Sequence, residues 1–127
     1  MTVALWCILI AIFLPYVCTW IAKLSGGFSL KDNHDPRGFL DNLDGVGKRA
    51  NAAQLNSFEV IPAFAAAVIV AHLAGNAELV TINVLAVLFI TSRLLYIICY
   101  LADWATLRSL VWFVGMALIV SFFVVSV

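Results

Sequence analysis

The order of apolar and polar positions divides the chain into long apolar stretches separated by polar segments. Four apolar stretches cover residues 3–21, 53–73, 79–101 and 107–125. A helix needs about 20 largely apolar residues to cross roughly 30 Å of hydrocarbon, and each stretch is close to that length. The pattern therefore predicts four transmembrane helices over residues 2–24, 46–73, 78–101 and 105–125, with an irregular loop over 25–45.

Composition leads to the same class of protein. Hydrophobic residues make up 65% of the chain and charged residues 11%, and the mean hydropathy is +1.09. Ordinary soluble domains are only about half apolar. We therefore expect an all-α membrane protein, a four-helix transmembrane bundle that forms a single domain over residues 1–127. The first stretch lacks a basic leader and a cleavage site, so we expect it to be a retained helix rather than a signal peptide.

The distribution of charge predicts an orientation in the membrane. Most of the basic residues lie between the first and second apolar stretches, namely Lys23, Lys31, Arg37, Lys48 and Arg49. Cytoplasmic loops are enriched in Lys and Arg, which places the 22–48 loop in the cytoplasm and both termini on the opposite side. The net charge is zero and no basic–aromatic surface is present, so we expect no nucleic-acid partner.

Cysteine and histidine offer no metal-binding or disulfide pattern. Cys7, Cys18 and Cys99 lie within apolar stretches and are interpreted as buried small hydrophobic residues. His34 and His72 have no Cys, Asp or Glu at ligand spacing. The sequence predicts no metal site.

Polar side chains inside the predicted helices fall on common faces. Their spacings of three, four and seven residues place members of each helix on one side. The second helix carries Arg49, Asn56 and Glu59, and the third carries Arg93, Tyr96 and Tyr100.

Glu59 and Arg93 are expected to form a pair. Each lies ten residues, or about 15 Å, from the same end of its helix, at Arg49 and Asp103 respectively. An unpaired charge in lipid costs several kcal/mol, and a pair of opposite charges at the same depth avoids most of that cost. We therefore interpret Glu59 and Arg93 as partners. Such a pair either belongs to a binding site or only fixes the register of two helices.

Other polar residues have structural alternatives as well. Asn56 could form a hydrogen bond between helices, and Tyr96 and Tyr100 could belong to an interfacial aromatic belt. Arg108 could be a topology anchor, a basic residue that fixes the orientation of the chain in the membrane. Taken together, these side chains predict a polar pocket near the cytoplasmic leaflet, suited to a zwitterionic or anionic small molecule.

Two segments resemble the MAPEG family, the membrane-associated proteins of eicosanoid and glutathione metabolism. "RANAAQLNSFEVIPAF" (49–64) is similar to the second-helix signature of that family, with Arg-Ala, then Asn-x-x-Glu, then Pro-x-Phe. "SRLLYIICYLADWATLRSL" (92–110) resembles its Arg-x-x-Tyr/His-x-x-x-Tyr pattern and the arginine that opens the fourth helix.

The resemblance implies a homotrimer that binds glutathione between neighbouring subunits near the cytoplasmic face. The residues that it implies for glutathione binding are Arg49, Asn56, Glu59, Arg93, Tyr96 and Tyr100. Arg108 is the implied catalytic residue, because a guanidinium stabilises the glutathione thiolate. The second substrate would be a hydrophobic, lipid-like electrophile that arrives from the membrane lipids.

Three functions are compatible with these residues. The first is a glutathione-dependent transferase or peroxidase. The second is a non-catalytic lipid-binding protein of the same fold, favoured by Ala52 and Lys23, which stand where related enzymes often have arginines. The third is a small proton-coupled multidrug transporter, supported only by four helices and one buried glutamate.

Overall fold

The computed structural model describes all 127 residues, and its long elements are helices. The helices are α1 (Val3–Gly26), α2 (Pro36–Asp41), α3 (Gly45–Ala74), α4 (Leu79–Leu101) and α5 (Ala105–Val124), with one 3-10 turn at Asp32–His34. Four of them, α1, α3, α4 and α5, are long and apolar enough to cross a membrane. The predicted all-α four-helix membrane bundle is confirmed, and the observed helix bounds lie within two residues of the predicted ones.

The prediction of an irregular 25–45 loop was wrong in part. The segment contains the 3-10 turn and the short helix α2. Asp35 starts α2, because its side chain accepts a hydrogen bond from the Gly38 amide at 3.1 Å and Pro36 occupies the first helical turn. Leu40 is buried against Ala22 of α1 and Ala50 of α3, so α2 is held against both neighbouring helices by apolar contacts.

The main apolar core lies in the half of the bundle away from this loop. Phe64 of α3 and Phe89 of α4 stack with ring centroids 4.0 Å apart, and Phe122 of α5 meets Phe64 edge-on at 6.0 Å. All three side chains are fully buried. Aromatic contacts between three helices therefore fix how the helices are rotated about their axes.

We call the end of the bundle that carries residues 27–44 the loop end and the opposite end the terminal end. Hydrogen bonds hold the N-terminus and the C-terminus of the chain in place at the terminal end of the bundle. Thr2 contacts His72 Nε2 at 2.9 Å, and Asn76 donates to the Ser126 carbonyl at 3.1 Å. At the loop end, α1 and α4 finish and α3 and α5 begin.

One face of α3 has no partner within the chain. Its exposed residues recur at alternating spacings of four and three, the periodicity of a helix that packs against another helix. They are Leu55, Glu59, Pro62, Ala66, Ile69 and Leu73, and we call them the α3 seam. The helix continues through Pro62 without a break.

Candidate functional site

Arg93 is the most buried charged residue of the chain and organises the polar part of the bundle. Its side chain is 3% exposed. Nη2 donates to Asn56 Oδ1 at 2.9 Å and to Ser57 Oγ at 3.3 Å, so one guanidinium nitrogen joins α4 to α3. These bonds compensate part of the cost of burying the charge.

The expected direct pair between Glu59 and Arg93 is not formed, and this prediction is corrected. Asn56 stands between them, since its Nδ2 donates to Glu59 Oε2 at 3.3 Å while its Oδ1 accepts from Arg93. An amide can donate and accept at once, so the two charges share one hydrogen-bonded network without touching. Glu59 itself is exposed on the α3 seam. Matching depth was correct, but three residues turn Glu59 by about 60° away from Asn56.

Aromatic rings extend this network along α4. The Arg93 guanidinium carbon lies 4.1 Å from the Tyr96 ring centroid, and the Tyr96 and Tyr100 rings meet edge-on at 5.6 Å. The Arg108 guanidinium carbon lies 4.2 Å from the Tyr100 ring centroid. Two arginines therefore enclose two tyrosines in one column, which we call the arginine–tyrosine column. Cation–π attraction favours this order of charges and rings.

A cavity opens beside the outer half of the arginine–tyrosine column. Its volume is about 260 Å³, and its walls come from α3, α4 and α5. The lining residues are Asn56, Tyr96, Tyr100, Arg108, Ser109, Trp112 and Phe113. We call it the tyrosine cavity. Its position between the end of α4 and the start of α5 places it near the loop end.

The structure brings together four of the predicted site residues. Asn56, Tyr96, Tyr100 and Arg108 line the tyrosine cavity, and Arg93 lies behind it and holds Asn56. The remaining two predicted residues do not line it. Glu59 lies on the α3 seam, as described above.

Arg49 shares a predicted helix face with Asn56 and Glu59, but its contact within the chain is with the C-terminus of α4. Its Nε donates to the Leu101 carbonyl at 3.2 Å. This bond satisfies a carbonyl at the C-terminus of α4, where a positive charge is favourable. In a single subunit, Arg49 therefore caps a neighbouring helix.

Three residues that contribute to the candidate site were not predicted from the sequence. Ser57 is buried at 2% exposure and accepts from Arg93, while Trp112 and Phe113 form the apolar wall of the cavity. Trp112 was detectable in principle, because it lies one helical turn from Arg108 on the same face. Ser57 gave no signal, since serine is common inside membrane helices for reasons of packing alone.

Fold and site together define an integral, multi-pass membrane protein with a polar arginine–tyrosine cavity set among its helices. The family model of the MAPEG family matches residues 3–127, and the chain belongs to this family. It is thus a membrane protein related to glutathione or eicosanoid metabolism. Comparison of the chain with curated proteins and with solved structures gave no match.

Proposed function

We propose that this protein is a membrane-bound, glutathione-dependent transferase or peroxidase that acts on hydrophobic electrophiles. One observation carries the proposal. The Arg108 guanidinium lines the tyrosine cavity, stacks on Tyr100 and makes no side-chain hydrogen bond within the chain. A half-buried cation with free donors, at the wall of a cavity of about 260 Å³, is suited to bind an anionic group.

The proposed chemistry follows from that charge. A free thiol is mostly protonated at neutral pH, whereas the thiolate is the nucleophile. A guanidinium in a site of low dielectric constant favours the thiolate over the thiol. The thiolate sulfur of glutathione would bond to an electrophilic carbon, and the displaced electron pair would go to a leaving group or to an epoxide oxygen that then takes a proton. With a hydroperoxide, the oxygen–oxygen bond would break to give the alcohol and water, as two glutathione thiols are oxidised to one disulfide.

The other walls of the cavity suit the two substrates. The hydroxyls of Tyr96 and Tyr100 have no hydrogen-bond partner within the chain, so they are available to the peptide groups of glutathione. Asn56 is held in place by Arg93. Trp112 and Phe113 offer an apolar surface on the bilayer side, where a hydrophobic second substrate would arrive.

We also propose a homotrimer, in which neighbouring subunits complete the site. The α3 seam supports association between copies, because its spacing suits helix packing and it leaves the Glu59 carboxylate facing outward at membrane depth. A cavity of about 260 Å³ lies just below the range of about 300–1,000 Å³ that is typical of ligand sites. A neighbouring chain could therefore add Arg49 or Glu59 to the glutathione that one subunit holds.

The orientation is proposed on charge alone. The loop end carries most of the lysines and arginines, which favours the cytoplasmic side for the 22–48 loop and the opposite side for both termini. Glutathione would then enter the tyrosine cavity from the cytoplasm. Single cysteines placed in the loop should react with an impermeant thiol reagent only when the inner face of the membrane is accessible.

Calorimetric titration of the purified protein in detergent tests the proposal. Reduced glutathione should bind in the micromolar to low millimolar range, which corresponds to about −8 to −4 kcal/mol. An analogue with serine in place of cysteine serves as the matched ligand without a thiol. Conjugation of glutathione to an electrophilic lipid should then depend on Arg108. If glutathione binds no better than an unrelated tripeptide, the proposal is wrong.

One observation favours a non-catalytic lipid-binding protein as the second candidate. Arg108 is the only charged residue that lines the tyrosine cavity, whereas glutathione carries two carboxylates. A single cation beside Trp112 and Phe113 is also suited to a fatty acid. Tight binding of a fatty acid, without binding or turnover of glutathione, would favour this candidate.

A further inference from the structure

Leu101, the last residue of α4, is held in two ways at the loop end. Its side chain packs against the apolar cluster of Ala22, Leu40 and Ala50. Its carbonyl accepts the hydrogen bond from Arg49 Nε of α3 at 3.2 Å. A hydrogen bond from a charged donor is stronger than one between neutral groups. The end of α4 is therefore fixed to α3 both by apolar packing and by a charge-assisted bond.

The bond from Arg49 to Leu101 is made within one subunit and does not involve the α3 seam. Arg49 is half-buried, and six residues separate it from Leu55, the first residue of the seam. Six residues place it about 120° away from Leu55 around the helix axis. The bond therefore remains in place when a neighbouring chain covers the seam.

The turn that follows Leu101 determines where α5 begins. Trp104 N donates to the Cys99 carbonyl at 2.8 Å and Asp103 N donates to the Tyr100 carbonyl at 3.2 Å, as in a Schellman motif. Asp103 has a φ of 60° and is the only residue other than glycine with a positive φ. An aspartate keeps this unfavourable conformation only where its surroundings impose it. The geometry of the turn thus depends on how the end of α4 is anchored.

Arg108 depends on this turn for its position, because no side-chain hydrogen bond within the chain holds its guanidinium. Its backbone N–H donates to the Trp104 carbonyl at 2.9 Å, in the first turn of α5. Its guanidinium carbon lies 4.2 Å from the ring centroid of Tyr100, the residue directly before Leu101. A shift of the turn would therefore move the positive charge of Arg108.

Arg49 connects the two sides of the tyrosine cavity without lining it. Asn56 lines the cavity from α3, about two helical turns after Arg49 and on the same face. Tyr100 and Arg108 line it from α4 and α5. Since the Arg49 bond joins α3 to the end of α4, it sets the distance between Asn56 and the opposite wall of the cavity.

We propose that Arg49 is a positioning residue for Arg108. Its bond to the Leu101 carbonyl fixes the turn between α4 and α5, and so holds the Arg108 guanidinium where it stabilises a bound thiolate. Without that bond the turn moves, and the charge moves away from the thiol. Electrostatic attraction falls with distance, so the thiolate loses part of its stabilisation. The effect on the thiol rests on the proposed function, whereas the effect on the turn does not.

Hydrogen exchange tests the effect on the turn without glutathione. Arg49→Met keeps the length of the side chain but has no donor, so the amides of Asp103, Trp104 and Arg108 should exchange about tenfold faster or more. Arg49→Gln carries an N–H donor at the position of the arginine Nε but no charge, so it should restore much of the protection. Lys48→Ala, at the neighbouring exposed cation, is the control and should leave exchange unchanged.

Titration of bound glutathione connects the bond to the chemistry. In Arg49→Met the thiolate at neutral pH should fall about three- to tenfold, followed by ultraviolet absorbance as pH is raised. The affinity for glutathione should change little, because Arg49 does not line the cavity. Arg49→Gln should keep most of the thiolate. An equal loss in both variants would show that the charge of Arg49 acts on the thiol directly, and would overturn the positioning role.

The remaining outcomes separate this inference from the proposed function. If the turn exchanges equally fast in Arg49→Met and in the unaltered protein, Arg49 does not anchor it and the inference is wrong, whether or not glutathione binds. A loosened turn with an unchanged thiolate would reduce Arg49 to a structural role. Loss of glutathione affinity with unchanged exchange would assign Arg49 to the ligand. If the unaltered protein binds no glutathione, the proposed function and the role toward the thiol both fail, and exchange still decides whether Arg49 anchors the turn.

Discussion

Asn56 lies between Arg93 and Glu59 and forms a hydrogen bond with each of them. It accepts from a buried guanidinium and donates to a carboxylate, because an amide carries an acceptor and a donor on separate atoms. The residue that could be read as a simple contact between helices is thus the link between two charges.

Removal of that link should destabilise the protein. Asn56→Leu leaves Arg93 with Ser57 as its only hydrogen-bond partner, while the guanidinium stays buried. We expect a loss of about 1–3 kcal/mol in the free energy of unfolding, measured as a lower melting temperature in detergent. Asn51→Leu on the same helix is the control, because its only hydrogen bond is at the limiting distance of 3.5 Å. Equal losses in the two variants would contradict the role given to Asn56.

Arg108 should act on the pKa of a bound thiol rather than on the affinity of the site for glutathione. Arg108→Ala removes the positive charge at the cavity wall, so the pKa of the bound thiol should rise. Thiolate at neutral pH should fall by about ten- to a hundredfold, followed by ultraviolet absorbance of the thiolate as pH is raised. Asn56 and the two tyrosines remain to hold the rest of the molecule.

Two further variants separate charge from geometry at position 108. Arg108→Lys keeps the charge but loses the planar group that stacks on Tyr100, so its thiolate fraction should be intermediate. Lys48→Ala changes an exposed cation at the same end outside the cavity and should leave the titration as it is. If the bound thiol titrates identically in Arg108→Ala and in the unaltered protein, Arg108 does not stabilise the thiolate and serves only as a topology anchor.

At the scale of elements, the loop end depends on close approach of the helices. A Cβ atom at Gly47 of α3 would lie 2.6 Å from Ser25 Oγ and 3.1 Å from a Leu43 methyl carbon. Gly47→Ala should therefore push α1 and the segment after α2 away from α3. We expect a loss of about 1–3 kcal/mol in the free energy of unfolding and faster proteolysis of the 27–44 loop.

Gly115 of α5 is the matched control for this prediction. A Cβ there would meet its nearest neighbour, Ser92 Oγ, at 3.5 Å, which is an ordinary contact distance. Gly115→Ala should be neutral or slightly stabilising, since alanine also favours the helix. If Gly47→Ala were equally harmless, α3 would not approach Ser25 and Leu43 as closely as the structure indicates.

The elements also show which parts of the fold could be predicted from the sequence. The long helices were predictable because each apolar run has the length of a span and ends at a polar or glycine-rich segment, as at Gly27 and Gly75. Helix α2 was not, because six residues are too few to show a periodic pattern. Its stability comes from Leu40 and its neighbours in space.

In the candidate site, contacts within one helix could be predicted from the sequence, whereas contacts between helices could not. Contacts within one helix, such as that between Tyr96 and Tyr100, follow from spacing alone. Contacts between helices depend on how each helix is rotated, and packing of Phe64, Phe89 and Phe122 in the main core fixes that rotation. Spacing and depth therefore placed Glu59 at the correct level but could not place Asn56 between it and Arg93.

At the scale of the whole molecule, the α3 seam should be buried between copies of the chain. Light scattering in detergent should give the mass of three chains of 13.9 kDa each. Cysteines introduced at Leu55 and Ile69 should form disulfide-linked species under mild oxidation. The three native cysteines are buried and should not interfere.

Val84 of α4 provides the matched position for the cross-linking experiment. It is 52% exposed and lies within a membrane span, but it is not on the α3 seam. A cysteine there should cross-link less than one at Leu55. Equal cross-linking at both positions, or a mass of one chain, would contradict association through the seam.

The arginine–tyrosine column also predicts how the protein responds to electrolyte. Arg93 is 3% exposed, so dissolved ions cannot approach it, whereas Arg108 is half-buried at the mouth of a cavity. Mobile ions screen accessible charges over about 8–10 Å at physiological ionic strength but hardly affect buried ones. High salt should thus weaken the attraction between Arg108 and a bound thiolate, which lowers the thiolate fraction at neutral pH, and should leave the link between α3 and α4 intact, so the bundle stays folded.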